Sequence, residues 1–99
     1  MTSIPFDSLT PGKPQRVEID GVGVCVARVG DEVFAVADLC THSDASLAEG
    51  ELNGFKLECW LHGAEFDIRD GAALTPPATV PLETFAVARD GANVTITKN

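Results

Sequence analysis

The sequence predicts an all-β protein, a small antiparallel sandwich or barrel. Three observations point there. No segment sustains the 3.6-residue apolar period of an amphipathic helix, β-branched runs fill the chain, and turn signals recur about every ten residues. Ninety-nine residues make one domain, so 1–99 is read as a single unit, with no internal repeat and no low-complexity tract. A chain of this size buries about 60–65% of its unfolded surface.

In order, Met1 to Pro14 holds Pro5, Pro11, Gly12 and Pro14 and reads as an irregular lead-in along the side of the domain. Gln15 to Ile19 suggests a strand with Val17 and Ile19 on one face, and Asp20-Gly21 a turn. Val22 to Val29 is apolar on both faces, the pattern of a buried strand. Cys25 lies within it and reads as a small core residue, since cysteine is among the most buried residue types. Gly30-Asp31 turns the chain into a strand from Glu32 to Ala37, which feeds Cys40. Beyond Gly50, Glu51-Leu52 and Phe55 to Glu58 form a hairpin around Asn53-Gly54. Phe55, Leu57 and Cys59 share its apolar parity. Glu65 to Ile68 is the next strand, Asp70-Gly71 a turn, and Thr75 to Pro81 an irregular proline-rich stretch. Glu83 to Arg89 and Asn93 to Thr97, joined at Asp90-Gly91, close the fold. Phe85, Val87, Val94 and Ile96 face inward.

The chemistry concentrates between Cys40 and His62. Cys40-Thr41-His42 is followed, after sixteen residues, by Cys59-Trp60-Leu61-His62. Both histidines of the chain and two of its three cysteines are here. Each Cys leads its His by a short step, so a local turn can aim both at one metal centre. Two thiolates and two neutral imidazoles suit the outer positions of a two-iron, two-sulfide cluster. A tetrahedral zinc site also takes two Cys and two His, usually with the pairs unmixed.

The pattern Cys-x-His, sixteen residues, Cys-x-x-His, with Gly63 directly after, resembles the Rieske family. The likeness extends to Leu39–His42 and Leu47–Gly50, to Cys59–Phe66, and to Asp70-Gly71 with Pro76-Pro77-Ala78, covering about 17 to 96. The resemblance implies the Rieske fold, an antiparallel β domain capped by two cluster-binding loops at about 38–50 and 59–67 and a proline loop at about 75–81. It implies one Rieske-type [2Fe-2S] cluster per chain, held by Cys40, His42, Cys59 and His62. Leu47, Trp60, Leu61, Pro76 and Pro77 would shield it.

In high-potential members of the family, a Ser and a Tyr hydroxyl donate to the cluster and its ligands. Ala64 and Phe66 stand at those places, and the chain has no Tyr. Ala45 and Leu61 replace the cysteines of those members' disulfide. Asp38, Asp44, Glu49 and Glu65 crowd the motif with negative charge, which disfavours reduction. The expectation is a low-potential ferredoxin, with a midpoint on the order of −150 mV.

The implied role is the ferredoxin component of a multicomponent aromatic-ring-hydroxylating dioxygenase. Its partners would be an NAD(P)H-dependent flavoprotein ferredoxin reductase and a terminal Rieske oxygenase. Both histidines are used, so a mononuclear iron site of the two-His-one-carboxylate type is not available, and no dinucleotide-binding fingerprint occurs. The chain is thus expected to carry electrons and not to catalyse. Other readings are a nitrite reductase small-subunit relative, a donor associated with iron–sulfur assembly, and a non-redox zinc module. Fifteen acidic against seven basic side chains leave no basic patch for nucleic acid. No apolar run approaches a membrane span, and the start of the chain lacks signal-peptide features. A cytoplasmic monomer is expected.

Overall fold

The computed structural model describes residues 2–19, 21–39, 46–60, 63–75 and 80–98. The described residues form nine strands: β1 (Thr2–Pro5), β2 (Gln15–Ile19), β3 (Val22–Val29), β4 (Glu32–Ala37), β5 (Glu51–Asn53), β6 (Lys56–Glu58), β7 (Glu65–Asp67), β8 (Thr84–Asp90) and β9 (Asn93–Lys98). Short 3-10 turns cover Phe6–Ser8 and Leu47–Glu49. Six strands form one antiparallel sheet in the order β1-β9-β8-β4-β3-β2, and β5-β6-β7 form a second.

The larger sheet curls. Ile4 from one edge strand and Val17 and Ile19 from the other pack into the same core, with Phe6, Val24, Val26, Ala35, Phe85, Val94 and Ile96. The opposite face of β3 and β4 supplies Cys25, Ala27 and Val36 to a second core. Leu57 and Phe66 of the small sheet, with Leu47, Cys59, Ala64, Ile68 and Leu82, complete that core. The two-faced apolar pattern of Val22–Val29 therefore has a physical reason: alternate residues feed different cores.

The N-terminal stretch corrects the expectation of an irregular lead-in. Thr2–Pro5 pairs with β9 in the register Ile4↔Val94, and the Phe6 amide donates to the Ala92 carbonyl (2.7 Å). A proline is tolerated there because β1 is an edge strand. Two guanidinium groups then lie over the Phe6 ring, Arg28 at 4.1 Å and Arg89 at 3.6 Å from its centroid.

Two hairpin turns fall one residue later than expected. Asn53 pairs with Lys56 and Asp90 with Asn93, so the turns are Gly54-Phe55 and Gly91-Ala92. Each glycine takes the first turn position with positive φ, 62° and 61°, which suits the twist of a two-residue hairpin.

Candidate metal centre

The first loop grows out of β4. After Ala37, the Asp38 amide donates to the Gly23 carbonyl of β3 (3.1 Å), and the chain then leaves the sheet. It returns at Ser46, which bridges back to Leu39, and enters the 3-10 turn at Leu47. Asp38 ties both ends of this excursion. Its carbonyl accepts from the Leu47 amide (2.7 Å). Its carboxylate accepts from the Ser46 hydroxyl (2.5 Å) and the Ala48 amide (2.8 Å). Cys40 and His42 belong to the excursion and lie outside the described residues, as does Asp44.

The second loop grows out of β6. The parity of Phe55, Leu57 and Cys59 sends the Cys59 side chain inward, and it is fully buried. The Cys59 amide donates to the Ala64 carbonyl (2.7 Å) and its carbonyl accepts from the Gly63 amide (2.9 Å). That closes a tight turn in which Gly63 takes a φ of +73°, a conformation L side chains rarely adopt. Leu61 and His62, inside this turn, lie outside the described residues. Of the four expected ligands, Cys59 alone is placed by the structure.

The third segment is anchored at its start. The Leu74 amide donates to the Glu65 carbonyl (2.8 Å), and the Thr75 hydroxyl accepts from the Glu65 amide (2.9 Å). Pro76 and Pro77 lie outside the described residues. Exposed apolar side chains flank all three segments: Leu39 beside Cys40, Trp60 beside Cys59, and Leu74 and Val80 about the prolines. Trp60 is half exposed, at 52%. Leu47 is wholly buried.

Ala64 and Phe66 are both completely buried, so the places where high-potential relatives carry hydroxyls are apolar. Glu51, Glu58 and Glu65 stand directly opposite one another across β5, β6 and β7. Like charges so paired repel, and this acidic row abuts Cys59 in sequence. Glu49 is exposed. Asp38, by contrast, is buried and ion-paired to Arg16 (Nε to Oδ2, 3.4 Å). Sequence reasoning missed this pair. Arg16 sits on β2, far from the motif in the chain, and only the register of β2, β3 and β4 brings it near.

Cys25 is a core residue, as expected, with no exposed surface. Burial, with the negative charge of Asp38 adding, pushes its thiol up to about 12.

Comparison with known proteins fits this architecture. Residues 3–86 match the Rieske [2Fe-2S] domain family. The biphenyl 2,3-dioxygenase ferredoxin component of Rhodococcus jostii is 43% identical over 88 residues, covering 89% of this chain and 82% of that protein. Among solved structures, the ferredoxin of carbazole 1,9a-dioxygenase from Nocardioides aromaticivorans superposes with a TM-score of 0.96 at 34% identity, covering 100% of this chain and 97% of that one. The ferredoxin in a complex of reduced oxygenase and oxidised ferredoxin of carbazole 1,9a-dioxygenase gives 0.93 at 37% identity, covering 98% and 91%.

The chain belongs to the Rieske [2Fe-2S] domain family, whose cofactor is a Rieske-type [2Fe-2S] cluster. Its relatives make it a ferredoxin, an electron-transfer component and not itself a catalyst. The described part of the site fits such a cofactor. A buried thiol stands at the foot of a glycine-closed turn, between apolar residues and beside a loop whose two ends are pinned together.

Proposed function

We propose that Cys40 and Cys59 hold one iron and His42 and His62 the other iron of a single [2Fe-2S] cluster. Residues 1–99 would form one domain capped by loops 38–50, 59–67 and 75–81. The observation that carries this is the placement of Cys59, buried at the base of its turn in the core that also holds Leu47 of the first loop. When bound, the cluster supplies a one-electron couple within the Rieske range of roughly −150 to +300 mV.

The chain's own residues shape that couple. Leu47, Ala64 and Phe66 exclude water from the protein side of the site. Ala64 and Phe66 offer no hydroxyl to sulfur, and the Glu51–Glu58–Glu65 row adds negative charge nearby. Both effects favour the oxidised form and a low potential. Leu39, Trp60, Leu74 and Val80 leave an apolar rim for contact with another protein.

The role is a cytoplasmic, monomeric one-electron carrier. It accepts electrons from an NAD(P)H-dependent flavoprotein reductase and passes them to the Rieske centre of a terminal ring-hydroxylating oxygenase. Support comes from relatives named as ferredoxin components of dioxygenases and from a related ferredoxin solved with its oxygenase. In the described residues no helix is long and apolar enough to cross a membrane.

The test is reconstitution. NADH or NADPH with a dioxygenase-type flavoprotein reductase should bleach the protein's visible absorption. Adding the oxygenase, its aromatic substrate and O₂ should restore it. A protein that takes up no electron from any such reductase, or from dithionite, would overturn the reading in favour of a zinc-binding module.

A further inference from the structure

Asp38 is the one charged side chain buried among the described residues, at 4% exposure. A buried carboxylate is costly unless paired and hydrogen-bonded. This one is both. Ser46 and Ala48 donate to it, and the Arg16 Nε lies 3.4 Å away. The route from Arg16 is built into the sheet. Arg16 pairs with Cys25 in the β2–β3 ladder, and its guanidinium lies across Gly23. A methyl group on Gly23 would stand 2.9 Å from Arg16 Nη2 and 3.0 Å from its Nε. The same Gly23 accepts the Asp38 amide through its carbonyl. Gly23 thus leaves the space through which an arginine on β2 reaches a carboxylate at the end of β4.

Position gives the pair its consequence. Asp38 precedes Cys40 by two residues, which limits their backbone separation to about 7 Å. An uncompensated carboxylate there would oppose the arrival of an electron at the neighbouring site, and a guanidinium beside it offsets that charge. Arg16 also meets Glu18 Oε1 at 3.2 Å, but both side chains of that contact are about half exposed or more, so screening by water weakens it.

We propose that Arg16 is a positioning residue for the candidate metal centre: through Asp38 it steadies both ends of the loop bearing Cys40 and His42, and its charge raises the electron affinity of the site. This rests on the ligand assignment proposed above.

The test compares the midpoint potential and the visible and EPR spectra of the cluster-loaded wild type with those of R16Q, R16K, G23A and E18Q. R16Q should keep the Rieske spectrum. Its reduced-to-oxidised ratio at a fixed potential should fall about tenfold, which is 59 mV for a one-electron couple. That is the size a unit charge exerts at about 12 Å through an effective dielectric of about 20. G23A, whose methyl group presses only on the flexible end of Arg16 and leaves its charge on the chain, should shift in the same direction by less than R16Q. R16K should recover at least half of the R16Q shift, and E18Q should change the ratio less than about twofold. If R16Q fails to assemble, R16M, which also removes the charge and keeps the apolar stem, takes its place. An unchanged ratio in R16Q and G23A overturns the proposal, as does an E18Q change as large as that of R16Q. A wild-type protein without a cluster overturns the ligand assignment itself, and this inference with it.

Discussion

Gly50 ends the 3-10 turn of the first loop with φ −84° and ψ −169°, an extended backbone that any residue adopts. Conformation therefore gives no reason for glycine. Crowding does. A Cβ at this position would run into the main-chain carbonyl of Glu58, the residue before Cys59, and would come within 3.3 Å of the Leu47 carbonyl oxygen. Neither obstacle is the end of a flexible side chain. For Gly50→Ala, the β5–β6 hairpin must part until the new carbon sits at an ordinary C···O distance of about 3.3–3.6 Å. That strains the Glu51↔Glu58 rung and draws the first loop away from the turn that carries Cys59. Overpacking costs about 1–3 kcal/mol, and a weakened backbone hydrogen bond about 1 more. A total near 3 kcal/mol lowers the Tm of a domain this size by roughly 12–24 °C. Circular dichroism melts of the loaded protein, with iron counted per chain, measure it. Gly54→Ala is the control. Its Cβ meets nothing within 4 Å, and only its φ of +62° is strained, at about 1–2 kcal/mol, with iron content unchanged. A Gly50→Ala protein that melts within about 3 °C of wild type, with full iron, would refute the close apposition of the two loops.

Leu57→Ala removes a fully buried side chain of the core between the sheets and should cost about 2–5 kcal/mol, read as a lower urea midpoint. Cys25→Ser should retain the Rieske spectrum, because Cys25 is a core residue; loss of the cluster would show the ligand set to be wrong. The Cys25 thiol, raised from 9.0 to about 12, also predicts an alkaline slope. Below about pH 9 both states hold the proton and stability is independent of it. Above that, the unfolded chain releases the proton while the native chain keeps it. Native stability then falls by up to about 1.4 kcal/mol per pH unit until the native thiol itself titrates. Cys25→Ser should remove that component from urea midpoints measured across this range. The midpoint potential should lie near the bottom of the Rieske range, on the order of −150 mV, and a value above roughly +100 mV in a redox titration would contradict it.

Much of the scaffold was legible because its signals are local. Gly30-Asp31 marks the turn between β3 and β4, and the register Val29↔Glu32 honours it. The inward parity of Phe85, Val87, Val94 and Ile96 follows from alternation alone, and β8 and β9 pair Val87 with Ile96. β1 was hidden because Thr2–Pro5 offers one apolar side chain, Ile4, ahead of two prolines and a glycine, and its pairing depends on β9 at the far end of the chain. In the Gly54 and Gly91 turns a positive-φ glycine stands at the first turn position, which a two-residue hairpin accepts as well as the second, so the Asn-Gly and Asp-Gly pairs alone do not fix the register. In the site, the inward placement of Cys59 follows from strand parity. The burial of Asp38 does not, because it depends on Arg16 crossing Gly23, a contact between three strands. The role of Gly50 against Glu58 exists only once the hairpin is folded.

The most direct test of the central claim is low-temperature EPR of the purified protein before and after dithionite, with iron and acid-labile sulfide counted on the same sample. The account predicts two irons and two sulfides per chain, an EPR-silent oxidised state, and a low-average-g Rieske signal on reduction that is lost in His42→Cys and His62→Cys. A colourless protein with one zinc and no sulfide, or a signal unchanged in both histidine variants, would contradict it.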